Sequence, residues 1–458
     1  MSHIRLAIFV VSLAAPTVAT AADAGVYVYF QPLPPHGSTL TFTIASLSAV
    51  SSSGEEHPLD LQLSTVRSAD LTRQRLAASV RLPLGSYTGF LFTIRTAALA
   101  RESGQAALVV PEAPVRVEAP FVITGTRGAV VWLTLRHEAS VTGGVGFTPV
   151  FSAAIPSRPI VDHAGFVSNA GSSTITVFDR NLTQAVAAIE TCAGPSGMAI
   201  DRRRRVLHVA CSRDDEVQSI DVATGEILKR TRVSPGDRPL ELALTPDGNT
   251  LVSVNAGSDS VSFLDAVSLT RQERVNVGSG PGAILISPEG RRAFVFNTLS
   301  SSISVVDITA RRVTATLATD TGPLRGQFNR RGDRLYVIHE RTPYMTVLDA
   351  RQLTSISRAR LRAGVSAIAL DTVRGLVCIG GDNDRAIEFF DPEALMHLYS
   401  MRIRDGVSYM AFDAEDSTLY LVSRKARRLA VGRLAEKKVV SEIDVGEDPY
   451  AVAVMGEQ

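Results

Sequence analysis

Six hexapeptides ending in aspartate recur along the chain at nearly constant spacing. They are TITVFD to Asp179, EVQSID to Asp221, SVSFLD to Asp265, SISVVD to Asp307, YMTVLD to Asp349 and AIEFFD to Asp391. The steps are 42, 44, 42, 42 and 42 residues, and one more step of 42 reaches Arg433 in RLAVGR, a seventh copy with arginine in the aspartate's place. Apolar residues alternate with small or polar ones, which is the two-residue period of a strand. A period of 40–45 residues built from such strands predicts propeller blades of four strands each.

Other positions keep the same step. Pro195, Pro239, Pro281, Pro323 and Pro449 share one phase, with Val365 and Val407 in the two gaps, and each opens an apolar strand such as PLELAL or PGAILI. TPDGNT, SPEGRR and NRRGDR then read as hairpin turns, where glycine takes positive φ at little cost. DRRRR at 201–205 fills the same slot and reads as a solvated turn, not a nucleic-acid patch. A second strand follows, then the aspartate-ended third, then a fourth. Before Asp179 there is GFVSN but no proline-led strand in front of it, whereas PYAVAVM at 449–455 stands alone at the other end. The C-terminal strand is therefore expected to join the first blade and close a ring of seven, leaving no free edge. The repeated aspartate is explained locally: at a strand end its carboxylate accepts N–H bonds from the turn.

The segment GPGAILISPEGRRAFVFNTLSSSISVVDITARRVTATL (280–317) resembles the YVTN-type β-propeller repeat of bacterial and archaeal envelope proteins. The characteristic asparagine after the second strand stands at Asn169, Asn255 and Asn297, with Cys211, His339, Gly381 and Ser423 at that phase elsewhere. The resemblance covers about 160–455 and implies the fold. It implies no single function, because such propellers serve as binding proteins and as enzyme subunits.

The first third does not keep the period. MSHIRLAIFVVSLAAPTVATAADAG has a basic start, an apolar run and small residues at Ala19 and Ala21, the order of a secretory signal cut after Ala21. Its apolar run is short for a bilayer span and contains Pro16. Short strands from GVYVYF to GVGFTPVF, punctuated by Gly, Pro and Ser, predict a β-sandwich. LDLQLS and LPLGSYTGFLFTI resemble a transthyretin-like sandwich of secreted bacterial proteins. The expected organisation is a signal peptide at 1–21, a β-sandwich at 22–150, a linker at 151–162 and the propeller at 163–458, an all-β chain. Trp132, the only tryptophan, reads as a core or partial-core residue of a sandwich strand.

Forty-seven basic against 46 acidic residues leave a formal charge of +1, which recruits neither nucleic acid nor an anionic membrane. Loops into first strands and out of second strands share one face around the central channel, the default ligand site. By phase that face receives Arg238, Glu241, Arg325, His339, Tyr409, Arg424 and Tyr450, with Asp448 beside them. His339, Glu340 and Arg325 have the residue types of a general base and an oxyanion-stabilising pair. The plainer reading is a wet, polar mouth. No histidine of the mature chain pairs at ligand spacing with cysteine or carboxylate, so no metal and no cofactor is expected. Cys192 and Cys211 should reach the same end of one blade, where an oxidising compartment permits a bridge; the alternative is two small half-buried residues. Cys378 reads as a buried thiol.

The expected function is a non-catalytic, exported, periplasmic or cell-surface scaffold whose propeller face or rim holds an envelope protein, surface polymer or small ligand. Two alternatives stand beside it. One is a lactonase- or lyase-like propeller acting through His339, Glu340 and the arginines. The other is a propeller subunit of a periplasmic redox enzyme, an arrangement similar to amine dehydrogenases, with the cofactor supplied from elsewhere.

Overall fold

The computed structural model describes residues 23–34, 39–101, 104–124, 127–159 and 161–456, so the expected signal peptide lies outside the described residues. Six four-stranded antiparallel sheets follow one another at 195–232, 239–276, 281–318, 323–360, 365–402 and 409–444, here blades 2 to 7. Blade 1 has three strands of its own, Ala164–Asn169, Thr174–Asp179 and Gln184–Glu190, and receives Pro449–Val454 as its innermost strand. Phe166 lies opposite Ala453 and Val167 opposite Val452 across that seam. First strands touch those of the neighbouring blades in an unbroken circuit, from Pro195–Asp201 round to Pro449–Val454 and back. The tail of the chain closes a ring of seven.

Within a blade, burial falls from the middle outward. In blade 4 the second and third strands, Arg292–Asn297 and Ser302–Asp307, are buried apart from one terminal residue each, whereas the fourth, Arg312–Ala318, alternates between exposed and half-buried. Both faces of the middle strands are covered because blades stack: Phe294, Phe296, Ile303 and Val305 pack on Leu335 and Val337 of blade 5. Covering both faces explains why these strands are apolar throughout. The repeated aspartates work as turn acceptors. Asp265 Oδ1 receives the N–H groups of Val267 and Ser268, and Asp349 and Asp391 receive theirs from two and three residues on. At the seventh copy Arg433 instead pairs with Glu436 at 3.5 Å. In DRRRR, Arg203–Arg205 are exposed as a solvated turn should be, but Arg202 is half-buried and donates to the Val454 carbonyl at 3.3 Å.

The repeated asparagines pin the second strand to the third. Asn255 Nδ2 donates to the buried Ser260 and Ser262 hydroxyls at 3.0 and 2.9 Å, and Asn169 bonds Thr174 and Thr176 in the same way. These amides satisfy polar groups that burial would otherwise strand.

The N-terminal region is a two-sheet sandwich. One sheet contains Ala24–Phe30, Arg75–Leu82, Arg127–Leu135 and Phe151–Ala154; the other is built on Thr39–Ser51 and Gly85–Arg101. Val26, Val28 and Phe30 meet Phe42, Phe90 and Phe92 between the sheets. Two features differ from expectation. The linker placed at 151–162 begins with an ordered strand, because Phe151–Ala154 pairs with the strand carrying Trp132. The sandwich also runs on into the propeller, since Arg127 and Gly128 pair with Ile189 and Ala188 of blade 1.

Strand Ala24–Phe30 is buried on both faces. Its odd residues Tyr27 and Tyr29 turn from the sandwich core onto Val167 and Phe178 of blade 1 and Tyr420 and Ile443 of blade 7. Trp132 sits at the same seam and donates its indole N–H to the Ala185 carbonyl at 2.9 Å. Gln74 bonds Ala185 reciprocally through its amide oxygen and nitrogen. Asp444 accepts from Arg73 at 2.8 Å, Arg75 at 3.0 Å and the Leu76 N–H at 3.1 Å. Burial raises the Asp444 pKa, but the Arg73 and Arg75 guanidinium groups outweigh it and hold the carboxyl below the usual range. Among the described residues no helix is long and apolar enough to cross a membrane.

Candidate binding site in the propeller channel

The first strand of most blades bulges just after its opening proline or valine, as between Pro239 and Glu241 and between Pro323 and Arg325. The residue two past that opening position is structurally equivalent from blade to blade. Round the ring from blade 1 it is Ala451, Gly197, Glu241, Ala283, Arg325, Ala367 and Tyr409. From Gly197 round to Tyr409 small and large side chains alternate, so the large ones have space to reach inward. Blades 3 and 5 are not neighbours, yet Glu241 Oε1 lies 2.7 Å from Arg325 Nη2. That ion pair crosses the channel.

The guanidinium is also held by aromatic faces. Its carbon stands 4.7 Å from the centre of the Tyr409 ring, from blade 7, and 5.9 Å from that of Tyr450, from blade 1. Both contacts fall within cation–π range. Arg325 Nη2 also reaches the Tyr450 hydroxyl at 3.4 Å. Gly197 makes room for the carboxylate: a Cβ there would stand 2.6 Å from Glu241 Oε2. Four blades thus contribute to one cluster, with the Arg325 side chain 22% exposed and Glu241 8%.

Electrostatics locks the charge states. Burial alone would lower the Arg325 pKa, but Glu241, Tyr450 and Tyr409 outweigh it and raise it. Burial, then the Glu241 carboxylate, pushes Tyr409 up to about 12, and Tyr450 is raised for the same reasons. The guanidinium stays charged and both phenols stay protonated at neutral pH. Such a cluster can stack on a ring and offer phenol and guanidinium hydrogen bonds.

Arg424 forms an outer layer, 5.9 Å from the Tyr450 ring centre and ion-paired with Asp448, with Nη2 to Oδ2 at 3.0 Å. The other expected residues are not brought together. Arg238 is exposed in the loop before blade 3, where its N–H bonds Asp215 Oδ1 at 2.7 Å. His339 is 1% exposed and turns into blade 5, with Nδ1 3.1 Å from the Tyr344 carbonyl. A carbonyl only accepts, so Nδ1 carries the proton. Burial lowers the His339 pKa. The ring holds the position of the repeated asparagine and does its work, pinning the second strand to the third. Glu340 points away onto an exposed loop beside Arg341, 3.7 Å off. The expected His339–Glu340–Arg325 constellation is therefore not assembled. The signal that identifies the true cluster is the alternation of small and large residues at one phase, which requires the register of all seven blades at once.

Cys192 and Cys211 form a disulfide in blade 2, Cα atoms 5.7 Å apart, and Cys378 is a buried thiol whose pKa burial raises. Among the described residues no group of three His, Cys, Asp or Glu side chains is placed to hold a metal ion.

No curated protein matches this chain. Among solved structures, a functionally unknown protein from Desulfotomaculum acetoxidans is similar with a TM-score of 0.58 and 14% identity, over 65% of this chain and 100% of that one. The dihydro-heme d1 dehydrogenase NirN, in complex with DHE, gives 0.51 and 15% over 66% and 78%. Hydrazine synthase from Kuenenia stuttgartiensis gives 0.51 and 18% over 56% and 88%. At these identities the likeness is one of fold. Over residues 165–372 the chain matches the family model of the YNCE-like beta-propeller, which supports the propeller family to which the repeats point.

Proposed function

We propose that this protein is an exported, non-catalytic binding scaffold of the cell envelope. Its propeller mouth holds a small ligand or a partner's side chain against Tyr409, Tyr450 and the edge of Arg325. The observation that carries the reading is the Arg325–Glu241 pair across the channel, clasped by two tyrosines. His339, the candidate base, is committed to the blade through the Tyr344 carbonyl. The rigid seam to the sandwich supports a scaffold role, with the transthyretin-like sandwich as the adaptor. The leader-like first 21 residues support export, and an N-terminus at Ala22 in the mature protein tests it.

The decisive comparison is wild type against Tyr409→Ala/Tyr450→Ala. In vivo photocrosslinking from the mouth is expected to trap a discrete adduct that the double variant loses. A panel of lactones should be left unhydrolysed by wild type. Lactone turnover that His339→Asn abolishes would replace this reading with the enzymatic one. A second reading, a propeller subunit of a redox enzyme, draws on the fold shared with NirN and hydrazine synthase. Co-purification with a haem- or quinone-bearing protein would favour it.

A further inference from the structure

A second cleft, of about 760 Å³, opens where the sandwich meets the rim of the propeller. Four elements converge on it: the sandwich loop before Arg75–Leu82, the outer strand of blade 1, the end of blade 6 and the outer strand of blade 7. Its charged walls are Arg73, Arg402 and Arg404 against the single carboxylate of Glu442, and the Thr183 and Ser441 hydroxyls line it too.

The charges there do not balance. Glu442 Oε2 is shared between Arg73 Nε at 3.2 Å, Arg428 Nη1 at 3.5 Å and Arg404 Nη1 at 3.8 Å. Arg428 also pairs with Asp405 and Asp444, and Arg75 with Asp444. Arg402 has no ion pair among the described residues. The ion-paired groups are four arginines (Arg73, Arg75, Arg404, Arg428) against three carboxylates (Asp405, Glu442, Asp444), and the unpaired Arg402 on the cleft wall brings the excess to two positive charges. The cleft walls alone give the same excess, three to one. One donor is also stranded: Arg73 Nη2 is buried without a hydrogen-bond partner. Burial lowers the Arg73 pKa, with Arg428 and Arg75 adding to the effect and Asp444 opposing it.

We infer that this cleft binds a tetrahedral dianion, a phosphate, phosphate monoester or sulfate, held by Arg73 from the sandwich and by Arg402 and Arg404 from the propeller. Two positive charges in excess call for a doubly charged ligand, and guanidinium forks match its oxygens. The Ser441 hydroxyl, which accepts from Thr183 Oγ1 at 2.9 Å, supplies a neutral donor on the same wall. Because the ligand touches both domains, it reinforces their seam. This site is separate from the channel, and its test does not depend on what the mouth binds.

The test is calorimetric titration of the full mature chain at low ionic strength, pH 8, with sodium phosphate, sodium sulfate and glycerol 3-phosphate. Saturable one-site binding is expected, weakened at least about tenfold in Arg402→Gln/Arg404→Gln, whose exposed side chains leave folding intact by circular dichroism. Arg330→Gln/Arg331→Gln, in a turn of blade 5, should bind as wild type does. Glycerol 3-phosphate binding at least as tightly as phosphate assigns the site to an ester-borne group, and weaker binding assigns it to the free ion. The inference is overturned by absence of saturable binding of all three anions. It is equally overturned if the 402/404 variant binds like wild type, or if acetate competes as well as sulfate.

Discussion

The propeller ring and the seam that joins it to the sandwich are held together by different means. In the ring, each blade repeats one solution: apolar middle strands stacked on their neighbours, an asparagine between second and third strands, an aspartate in the turn. In the seam nothing repeats. Tyr27 and Tyr29 lie on blades 1 and 7, and Asp444 gathers two arginines and a backbone N–H from a sandwich segment some 370 positions away. A periodic structure spreads its stability over many small contacts. A seam concentrates it in a few buried charges, and single changes there should cost more.

Asp444→Ala gives the sharpest contrast. It leaves Arg73 and Arg75 beside each other without their shared acceptor, and breaking one side of a buried ion pair costs about 3–5 kcal/mol. Calorimetry should show one unfolding transition splitting into two as the sandwich uncouples. Acid should act in the same way. Because the folded pKa of Asp444 lies below its unfolded value, its stabilisation is complete above the ordinary carboxylate pKa near 4 and is lost as pH falls through the lower folded value. A single transition retained in both cases would mean the seam is no weaker than the ring.

The channel pair comes next. Arg325→Met strands Glu241, for about 2–3 kcal/mol after allowance for the partly exposed guanidinium. Arg325→Met/Glu241→Leu should recover most of that, as replacing both members of a buried pair often does. Urea unfolding of the single and double variants measures the difference. Equal losses in both would assign the cost to packing, not charge.

Inside a blade the effects are smaller. Asn255→Ala removes two buried hydrogen bonds and should cost about 1–3 kcal/mol. His339→Asn restores the residue found at that position in three other blades, and we expect a change within about 0.5 kcal/mol in the same assay. A large loss at His339 would show that its ring does more than the asparagine's work.

These contrasts also mark what a linear reading could reach. The ring was legible because 42-residue spacing aligns every strand, and a missing first strand at one end answered a spare one at the other. Glu241, Arg325, Tyr409 and Tyr450 were legible as residues of one face, but their meeting across the channel depends on other blades, as at Gly197, where a Cβ would stand 2.6 Å from Glu241 Oε2. His339 misled because a histidine next to a glutamate and near arginines has the composition of an acid–base site; its phase, shared with Asn169, Asn255 and Asn297, was the better guide. The seam was hidden. GVYVYF reads as a strand, yet no local pattern says that its second face meets the propeller or that Phe151–Ala154 continues a sheet instead of forming a hinge.

Everything at the channel depends on the ring being closed by its own tail, and native-state hydrogen exchange tests that directly. The amides of Ala451–Val454 should exchange only through the same opening that frees Phe166 and Val167, with equal free energies, because the two strands share one ladder. Fast exchange at 451–454 beside slow exchange at 166–167 would contradict closure, and with it the site it positions.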